Sequence, residues 1–254
     1  MLEQSPSVIL NSIAKKIGTS LIFGAVFSAL LLMLGNGGNI PFLPPALIFP
    51  LVAITLLSAV IFPVIWHYLE KKEKINSEKV YGFLYSGIRY AIAFNIASFG
   101  WKKFYGLQFI VPAEIARLPM NQQSGEWLTW FYFGHSHAFG IIIAVIQIAG
   151  GYLLLFRRTL LMGSVILFAL LSNLTLINIF YQMNAGALLQ SVVLTIGVLF
   201  LILLDYKKLI VFFLQTKSNL PSLNFDSLFA KNTIRLSAIV LSLLYTIYIS
   251  SLVK

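Results

Sequence analysis

The stretch that decides the fold is ALIFPLVAITLLSAVIFPVIWHY, residues 46–68, a run of 23 residues without Asp, Glu, Lys or Arg. At 1.5 Å per residue, a helix of that length reaches about 35 Å, which is enough to cross the ~30 Å hydrocarbon core of a bilayer. Its prolines, Pro50 and Pro63, are tolerated in membrane helices, where they produce kinks. The stretch therefore predicts a transmembrane helix.

Other segments of similar length follow the same pattern. Of the 254 residues, 59% are hydrophobic and 10% are charged, whereas soluble domains carry about 25% charged residues. The predicted fold class is all-α: a polytopic helical membrane protein with about seven transmembrane helices. The predicted spans are Ile17–Leu34, Ala46–Tyr68, Tyr81–Tyr105, His135–Phe156, Leu160–Tyr181, Ala185–Leu204 and Ile234–Val253.

The net charge of +10 comes from basic residues between the predicted spans. We interpret them as topology signals and as contacts with membrane lipids, and we expect no nucleic-acid partner. With Arg89 set aside, one side of the membrane carries four Lys and Arg and the other carries thirteen. The positive-inside rule places the richer side in the cytoplasm, so the N-terminus is predicted inside and the C-terminus outside. The richer side holds Lys15, Lys16, Lys71, Lys72, Lys74, Lys79, Arg157, Arg158, Lys207, Lys208, Lys217, Lys231 and Arg235.

The absence of certain residue types excludes several chemistries. The chain has no Cys, so thiol relays, disulfides and thiolate metal sites are excluded, and no Fe–S cluster is expected. His67 is predicted on the opposite membrane face from His135 and His137, so we expect no intrinsic haem. No Asp, Glu or Cys stands beside the two outer histidines, so no metal site is predicted there. Asp and Glu are missing from the interior of the spans, which disfavours ion-coupled transport.

Polar residues at membrane depth are candidate site residues because burying them in hydrocarbon is costly. Arg89 lies roughly 12 Å from the start of the third span, and Gln147 lies about 13 Å from the end of the fourth. Together with Tyr90 they are predicted to shape a pocket for an anionic or carbonyl-bearing headgroup. In the alternative, Arg89 reaches the interface or donates hydrogen bonds to helix carbonyls.

A second polar group is predicted toward the outer side of the membrane. Asn178 and Gln182 share one face of the fifth span with Thr175, since they follow at i+3 and i+7. The alternative interpretation is that these residues hold neighbouring helices together by hydrogen bonds. The candidate ligand-binding residues of this group are Lys102, Lys103, His135, His137, Asn178 and Gln182.

The order of short motifs between Arg89 and Leu214 resembles the DoxX-like integral membrane proteins, in particular a longer bacterial subset with extra flanking spans. The motifs are Arg89-Tyr90, Phe99-Gly100, Lys102-Lys103, Gln108-Phe109, Pro112, a segment around Trp130, the GHSHAFG run 134–140, Gly150-Gly151, the LLFRRT run 154–159, Asn173 and the NIFY run 178–181. The resemblance covers about half of the chain.

The resemblance implies a four-helix transmembrane core over residues 81–214, preceded by two helices in 1–80 and followed by a linker and a last helix in 215–254. It also implies the cytoplasmic (inner) membrane of a bacterium. Namesake members are subunits of a thiosulfate:quinone oxidoreductase. Gln147 and Gln182 stand here where such relatives carry acidic residues, which favours binding over chemistry that needs an ionised carboxylate.

Three functions follow as hypotheses. The first is a non-catalytic or accessory subunit of a larger bacterial membrane complex, which uses the aromatic segment Trp127–Phe133 as a contact surface. The second is a DoxX-type quinone- or lipid-binding subunit of a membrane oxidoreductase, with electrons supplied by a partner. The third, a small-molecule or lipid transporter, is least favoured because no coupling carboxylate is evident. We expect no catalysis by the chain on its own, and a bound quinone or lipid is the expected cofactor.

Overall fold

The structure, a computed structural model, describes residues 13–36, 43–216 and 228–252, and all regular structure in these residues is helical. The residue bounds of the helices follow the apolar segments of the sequence. The helices are α1 (Ile13–Asn36), α2 (Pro45–Lys71), α3 (Ser77–Phe104), α4 (Ala113–Ala116), α5 (Gly125–Gly134), α6 (His137–Leu155), α7 (Leu160–Phe180), α8 (Ala185–Leu204), α9 (Tyr206–Ile210) and α10 (Leu228–Leu252).

Six of these helices, namely α1, α2, α6, α7, α8 and α10, are long and apolar enough to cross a membrane. The chain is therefore a polytopic helical membrane protein, as predicted. The predicted third span is also a helix, the 28-residue α3. It is less apolar than the other six because it carries Arg89 and Asn95 in its interior and lysines near both ends.

Helix α3 occupies the centre of the first of two compact units, which ends at Lys207. It packs along α6, α6 packs on α7, α7 on α8, and α8 returns to α3, so these four helices form a closed ring. Helix α1 packs on both α3 and α8, and α2 packs on α1. Residues 13–80, predicted as a separate segment, thus share one unit with the ring.

Glycines permit the close approach of α3 and α6. A Cβ atom at Gly100 would lie 2.9 Å from the carbonyl oxygen of Ala144, and one at Gly151 would lie 3.0 Å from that of Ala93. The contact at Gly100 is shorter than a side chain tolerates and the one at Gly151 is at the limit, so a larger residue would force the two backbones apart. Small residues that let backbones approach are a common device for packing helices in membranes.

The second unit begins at Lys208 and contains the end of α9, a π-helical turn (Val211–Gln215) and α10. The apolar piece 209–214, predicted to extend the sixth span, is helical, but Asp205 breaks the helix between α8 and α9. The predicted last span, Ile234–Val253, lies within α10 except for Val253, which is outside the described residues, and α10 begins six residues earlier than predicted.

A polar cluster joins α1, α2 and α3 at the end where α3 begins. Lys16 is fully buried, and its ammonium pairs with the Glu70 carboxylate and lies 3.3 Å from His67 Nδ1. Ser77 Oγ donates to the same carboxylate and accepts a hydrogen bond of 2.9 Å from Trp66 Nε1. The predicted first span begins at Ile17, after Lys16, but α1 begins at Ile13 and carries Lys16 into the bundle. Glu70 and Ser77 are half-buried in this cluster, whereas residues 71–74 between them are exposed.

Replacing Lys16 by Met is expected to lower the free energy of unfolding by roughly 3 kcal/mol, because the Glu70 carboxylate loses its counter-ion in a largely buried site. The measurement is chemical denaturation in detergent micelles. The double variant Lys16→Met/Glu70→Leu should be closer to the wild type, since neither charge remains. Lys15→Met is the matched control: Lys15 lies 5.0 Å from the centre of the Tyr81 ring, a contact worth under about 1 kcal/mol. Equal losses in the two single variants would contradict this account.

Candidate functional site

Arg89 is buried, with 6% of its surface exposed, and its hydrogen bonds go to the end of α6. Its Nε donates to the carbonyl oxygen of Leu154 at 3.0 Å, and its Nη2 donates to that of Leu155 at 2.9 Å. The last carbonyls of a helix have no partner within the helix and carry the negative end of its dipole. The guanidinium therefore satisfies the C-terminus of α6, and its Cζ lies 5.6 Å from the centre of the Tyr90 ring. This geometry agrees with the alternative interpretation of the sequence, in which Arg89 donates hydrogen bonds to helix carbonyls and binds no headgroup.

Gln147 lies at a different depth from Arg89. Its Cβ is adjacent to Gly100 near the far end of α3, whereas Arg89 contacts α6 at Leu154, seven residues or about 10 Å farther along the axis. The expectation that the two side chains meet at one depth was wrong, because it assumed that the predicted third and fourth spans start and end level with each other. Gln147 is 3% exposed, and its Oε1 has no hydrogen-bond partner among the described residues.

A large cavity lies between the connection from α3 to α6 and the adjoining ends of α6 and α7. This connection, residues 105–136, is named the outer connection after the side of the membrane predicted for it. The cavity is an open cleft of about 1200 Å³. It follows α7 from Tyr181 down to Leu170, a distance of roughly 16 Å along the helix. Its upper part is formed by the connection between α3 and α6. The lining residues of the cleft include Phe109, Leu118, Gln123, Thr129, Trp130, Phe133, His135, Phe139, Ile143, Leu170, Asn173, Leu174, Ile177 and Tyr181.

Aromatic rings build the upper wall of the cleft. Phe109 stacks on Phe133 with 5.2 Å between ring centres and meets Trp130 edge to face at 6.0 Å. Phe133 also stacks on Phe139 at 5.9 Å. Phe109 has a φ of +66°, a left-handed conformation that is unfavourable for a bulky side chain and is found mainly where the surrounding structure imposes it. The aromatic wall is thus held in place at a cost in backbone strain.

Polar groups occur toward both ends of the cleft. His135 is exposed and lines the rim. Gln123 donates from Nε2 to the carbonyl oxygens of Ile115 at 2.6 Å and Leu118 at 3.0 Å, while its buried Oε1 has no partner among the described residues. Asn173 lines the cleft eight residues before Tyr181 on α7, or about 12 Å deeper. A ligand in the cleft would therefore contact an apolar surface that lies between two sets of polar groups.

The structure divides the predicted outer group. His135 lines the cleft. Lys103 does not line it, but its Nζ lies 5.6 Å from the centre of the ring of Phe109, which does. Lys102 Nζ lies 5.3 Å from the Phe99 ring centre. His137 is exposed at the start of α6 and is not part of the cleft.

Of the other two members of that group, Asn178 lies in the last turn of α7 and Gln182 in the turn between α7 and α8. Asn178 Nδ2 donates to the carbonyl oxygen of Ala187 at 3.1 Å, which joins the two helices. Thr175 and Thr195 join them again by a hydrogen bond of 2.9 Å between their hydroxyls. Gln182 adopts a left-handed turn conformation with a φ of +51°. The face of α7 that carries Asn178 thus holds helices together, which was the alternative to ligand binding.

Sequence reasoning missed Gln123, Thr129 and Tyr181 as members of one site, and it noted Asn173 only as part of the family resemblance. These residues come from the outer connection and from α7. Their proximity depends on how that connection folds back over the bundle. Gly125, at the start of α5, packs against the backbone of Tyr181, and Asn184 Nδ2 donates to Glu126 Oε1 at 2.8 Å. The aromatic clustering of residues 127–133 was the available signal.

Comparison with known proteins gives one family relationship. Over 128 residues the chain is 30% identical to YwoB of Bacillus subtilis (strain 168), described as an uncharacterized protein, and the match covers 80% of YwoB and 50% of this chain. The chain belongs to the YwoB family. The remaining half of the chain lies outside the segment shared with YwoB. No family model and no solved structure matches the chain.

Replacing Arg89 by Leu is expected to destabilise the protein by about 2 kcal/mol, because two carbonyls at the end of α6 lose a charged donor. Thermal unfolding in detergent provides the measurement. Arg89→Lys should recover part of the loss, since an ammonium provides donors but not the planar fork that reaches both oxygens. Gln147→Leu is the control, because its Oε1 is already without a partner. An Arg89→Leu variant as stable as the wild type would contradict the capping role.

Proposed function

We propose that this member of the YwoB family is a membrane-embedded binding protein whose outer cleft takes an amphiphile, a quinone or a lipid, from the bilayer. The observation that carries the proposal is the cleft itself, which joins an apolar trough along α7 to an aromatic chamber with polar groups at its rim. Ligand sites are typically concave, mostly apolar and furnished with a few polar groups. The depth of the trough matches the length of a ligand tail rather than that of a small polar solute.

The arrangement of the polar groups supports a ligand with a carbonyl-bearing head. His135 provides a hydrogen-bonding imidazole at the rim, and Gln123 provides a buried amide oxygen without a partner in the described residues. The stacked rings of Phe109, Phe133 and Phe139 provide a flat surface of the kind that packs against a planar headgroup. The sequence predicted that Arg89 binds such a headgroup, but its guanidinium donates hydrogen bonds to carbonyl oxygens of α6.

The finer points of architecture belong to the same proposal. We count α3 as a seventh transmembrane helix, because it is the central element of the bundle and is 28 residues long. The closed ring of α3, α6, α7 and α8 is the arrangement expected of a DoxX-like four-helix core. We place the protein in the bacterial cytoplasmic membrane with the α2–α3 loop inside, on the strength of the distribution of Lys and Arg.

Service as an accessory subunit of a larger complex is the second proposal, and the structure supports it less well. The segment Trp127–Phe133 was expected to form an outward contact surface. In the structure Trp130, Tyr132 and Phe133 all line the cleft, and Tyr132 is 64% exposed. The geometry thus favours ligand binding at this segment. A partner that supplies redox chemistry to a bound quinone is compatible with both proposals.

A bulky side chain introduced into the cleft should displace the bound ligand. Leu174→Trp places an indole in the trough beside Asn173, and we expect it to reduce the amphiphile that co-purifies with the protein by roughly tenfold, equivalent to about 1.4 kcal/mol of binding free energy. The measurement is native mass spectrometry of protein extracted gently from its own membrane. Leu176→Trp is the matched control, since Leu176 is on the same helix, 53% exposed, and outside the cleft.

Equal ligand content in the two Trp variants would contradict the cleft proposal. A protein partner found at fixed stoichiometry in both variants, with no small molecule in either, would move the function to the accessory-subunit proposal.

The topology is tested separately, using the absence of cysteine from the chain. We expect a cysteine introduced as Lys74→Cys, in the α2–α3 loop, to be shielded from an impermeant maleimide in intact cells. Asn121→Cys, in the exposed outer connection, should be labelled readily. The reverse pattern would contradict the orientation, because the positive-inside rule would then be violated.

A further inference from the structure

A second concave surface lies between α1 and α3, away from the outer cleft. It is an apolar groove of about 440 Å³. Phe23, Phe27 and Leu30 of α1 form one wall. Gly87 forms the floor, since a Cβ at that position would collide with the Phe23 ring. The residues that α3 contributes to the groove are Phe83, Ser86, Gly87, Tyr90, Ala91 and Phe94.

The length and position of the groove match one leaflet of a bilayer. From Phe83 to Phe94 it covers eleven residues of α3, or about 16 Å, and half of a ~30 Å hydrocarbon core is about 15 Å. Phe83, Tyr90 and Phe94 are largely exposed along its edge. A groove of this kind within a membrane-spanning bundle is open to hydrocarbon, and an extended acyl chain fits its length.

Positive charge stands at the end of the groove where α3 begins. Lys79 is exposed and lies one turn before Phe83 on the same face of α3, since residues at i and i+4 are neighbours on a helix. Lys15 of α1 reaches the same end, because its Nζ lies over the Tyr81 ring of α3. Two ammonium groups beyond the end of an apolar groove match the charge of a phosphate headgroup attached to an acyl chain.

We propose that this groove is a specific site for an anionic phospholipid from the leaflet at which α3 begins, with one acyl chain in the groove and the phosphate between Lys79 and Lys15. The site differs from the outer cleft in its location and in its ligand. The lipid chain lies along the α1–α3 surface, over the Phe23 ring that packs on Gly87.

The test compares purified protein exchanged into nanodiscs of phosphatidylglycerol or of phosphatidylcholine, followed by native mass spectrometry of the retained lipid. We expect the wild type to retain the anionic lipid with a preference of roughly tenfold, or about 1.4 kcal/mol. The double variant Lys15→Gln/Lys79→Gln should lose this preference. Ser86→Trp, which fills the groove, should lose the retained lipid of either headgroup. Lys74→Gln is the control, an exposed lysine of the α2–α3 loop that does not line the groove.

Equal retention of the two lipids by the wild type would overturn the proposal. A loss of preference in Lys74→Gln as large as in the double variant would also overturn it, because the attraction would then be diffuse. Full retention in Ser86→Trp would show that the chain lies elsewhere. Leu174→Trp separates this site from the outer cleft: it should leave the anionic lipid bound, and loss of that lipid in Leu174→Trp would assign it to the cleft.

Discussion

The hydrogen bonds from Arg89 to the end of α6 are the interaction on which the bundle depends. A guanidinium buried in an apolar bundle needs a partner, and no carboxylate occurs in the interior of the predicted spans. The carbonyls of Leu154 and Leu155 provide it, and they need donors themselves because a helix end leaves them unpaired. The contact therefore provides a partner both for the guanidinium and for the end of α6, and it fixes the position of α3 along α6. Gly100 and Gly151, which bring the backbones together, lie in the register set by that contact.

Several other polar side chains in the bundle are also occupied in holding helices together. Asn178 joins α7 to α8, Lys16 and Glu70 join α1 to α2, and Asn95 reaches α8 by donating to Gln190 Oε1 at 3.3 Å. Among the described residues, unpartnered amide oxygens occur elsewhere, at Asn95 and Gln147, but the outer cleft combines one with backbone strain. Gln123 Oε1 has no partner in the described part of the chain, and Phe109 holds a strained backbone conformation there. Polar groups left without partners and local strain are concentrated at functional sites more often than elsewhere.

The sequence predicted the helices well and the site poorly, for physical reasons. Apolar length alone defines a membrane helix, so Ala46–Tyr68 and Ala185–Leu204 could be read directly. The pairing of polar side chains is not local. Lys16 and Glu70 are 54 positions apart, and their contact depends on the packing of α1 against α2. The cleft depends on how the outer connection folds back on α7, which spacing rules do not describe. The Arg89–Gln147 prediction was wrong because helix ends were taken as level, and an error of a few residues moves a side chain by several ångströms.

The most direct test of the amphiphile cleft is photo-crosslinking with benzoylphenylalanine placed at Ile177, which lines the cleft, and at Leu176, its exposed neighbour. Cells are irradiated, and the adducts on the purified protein are identified by mass spectrometry. The account predicts a single predominant amphiphile on residue 177 and a mixture of bulk membrane lipids on residue 176. The same lipid mixture at both positions would contradict a binding cleft and leave α7 as an ordinary lipid-facing helix.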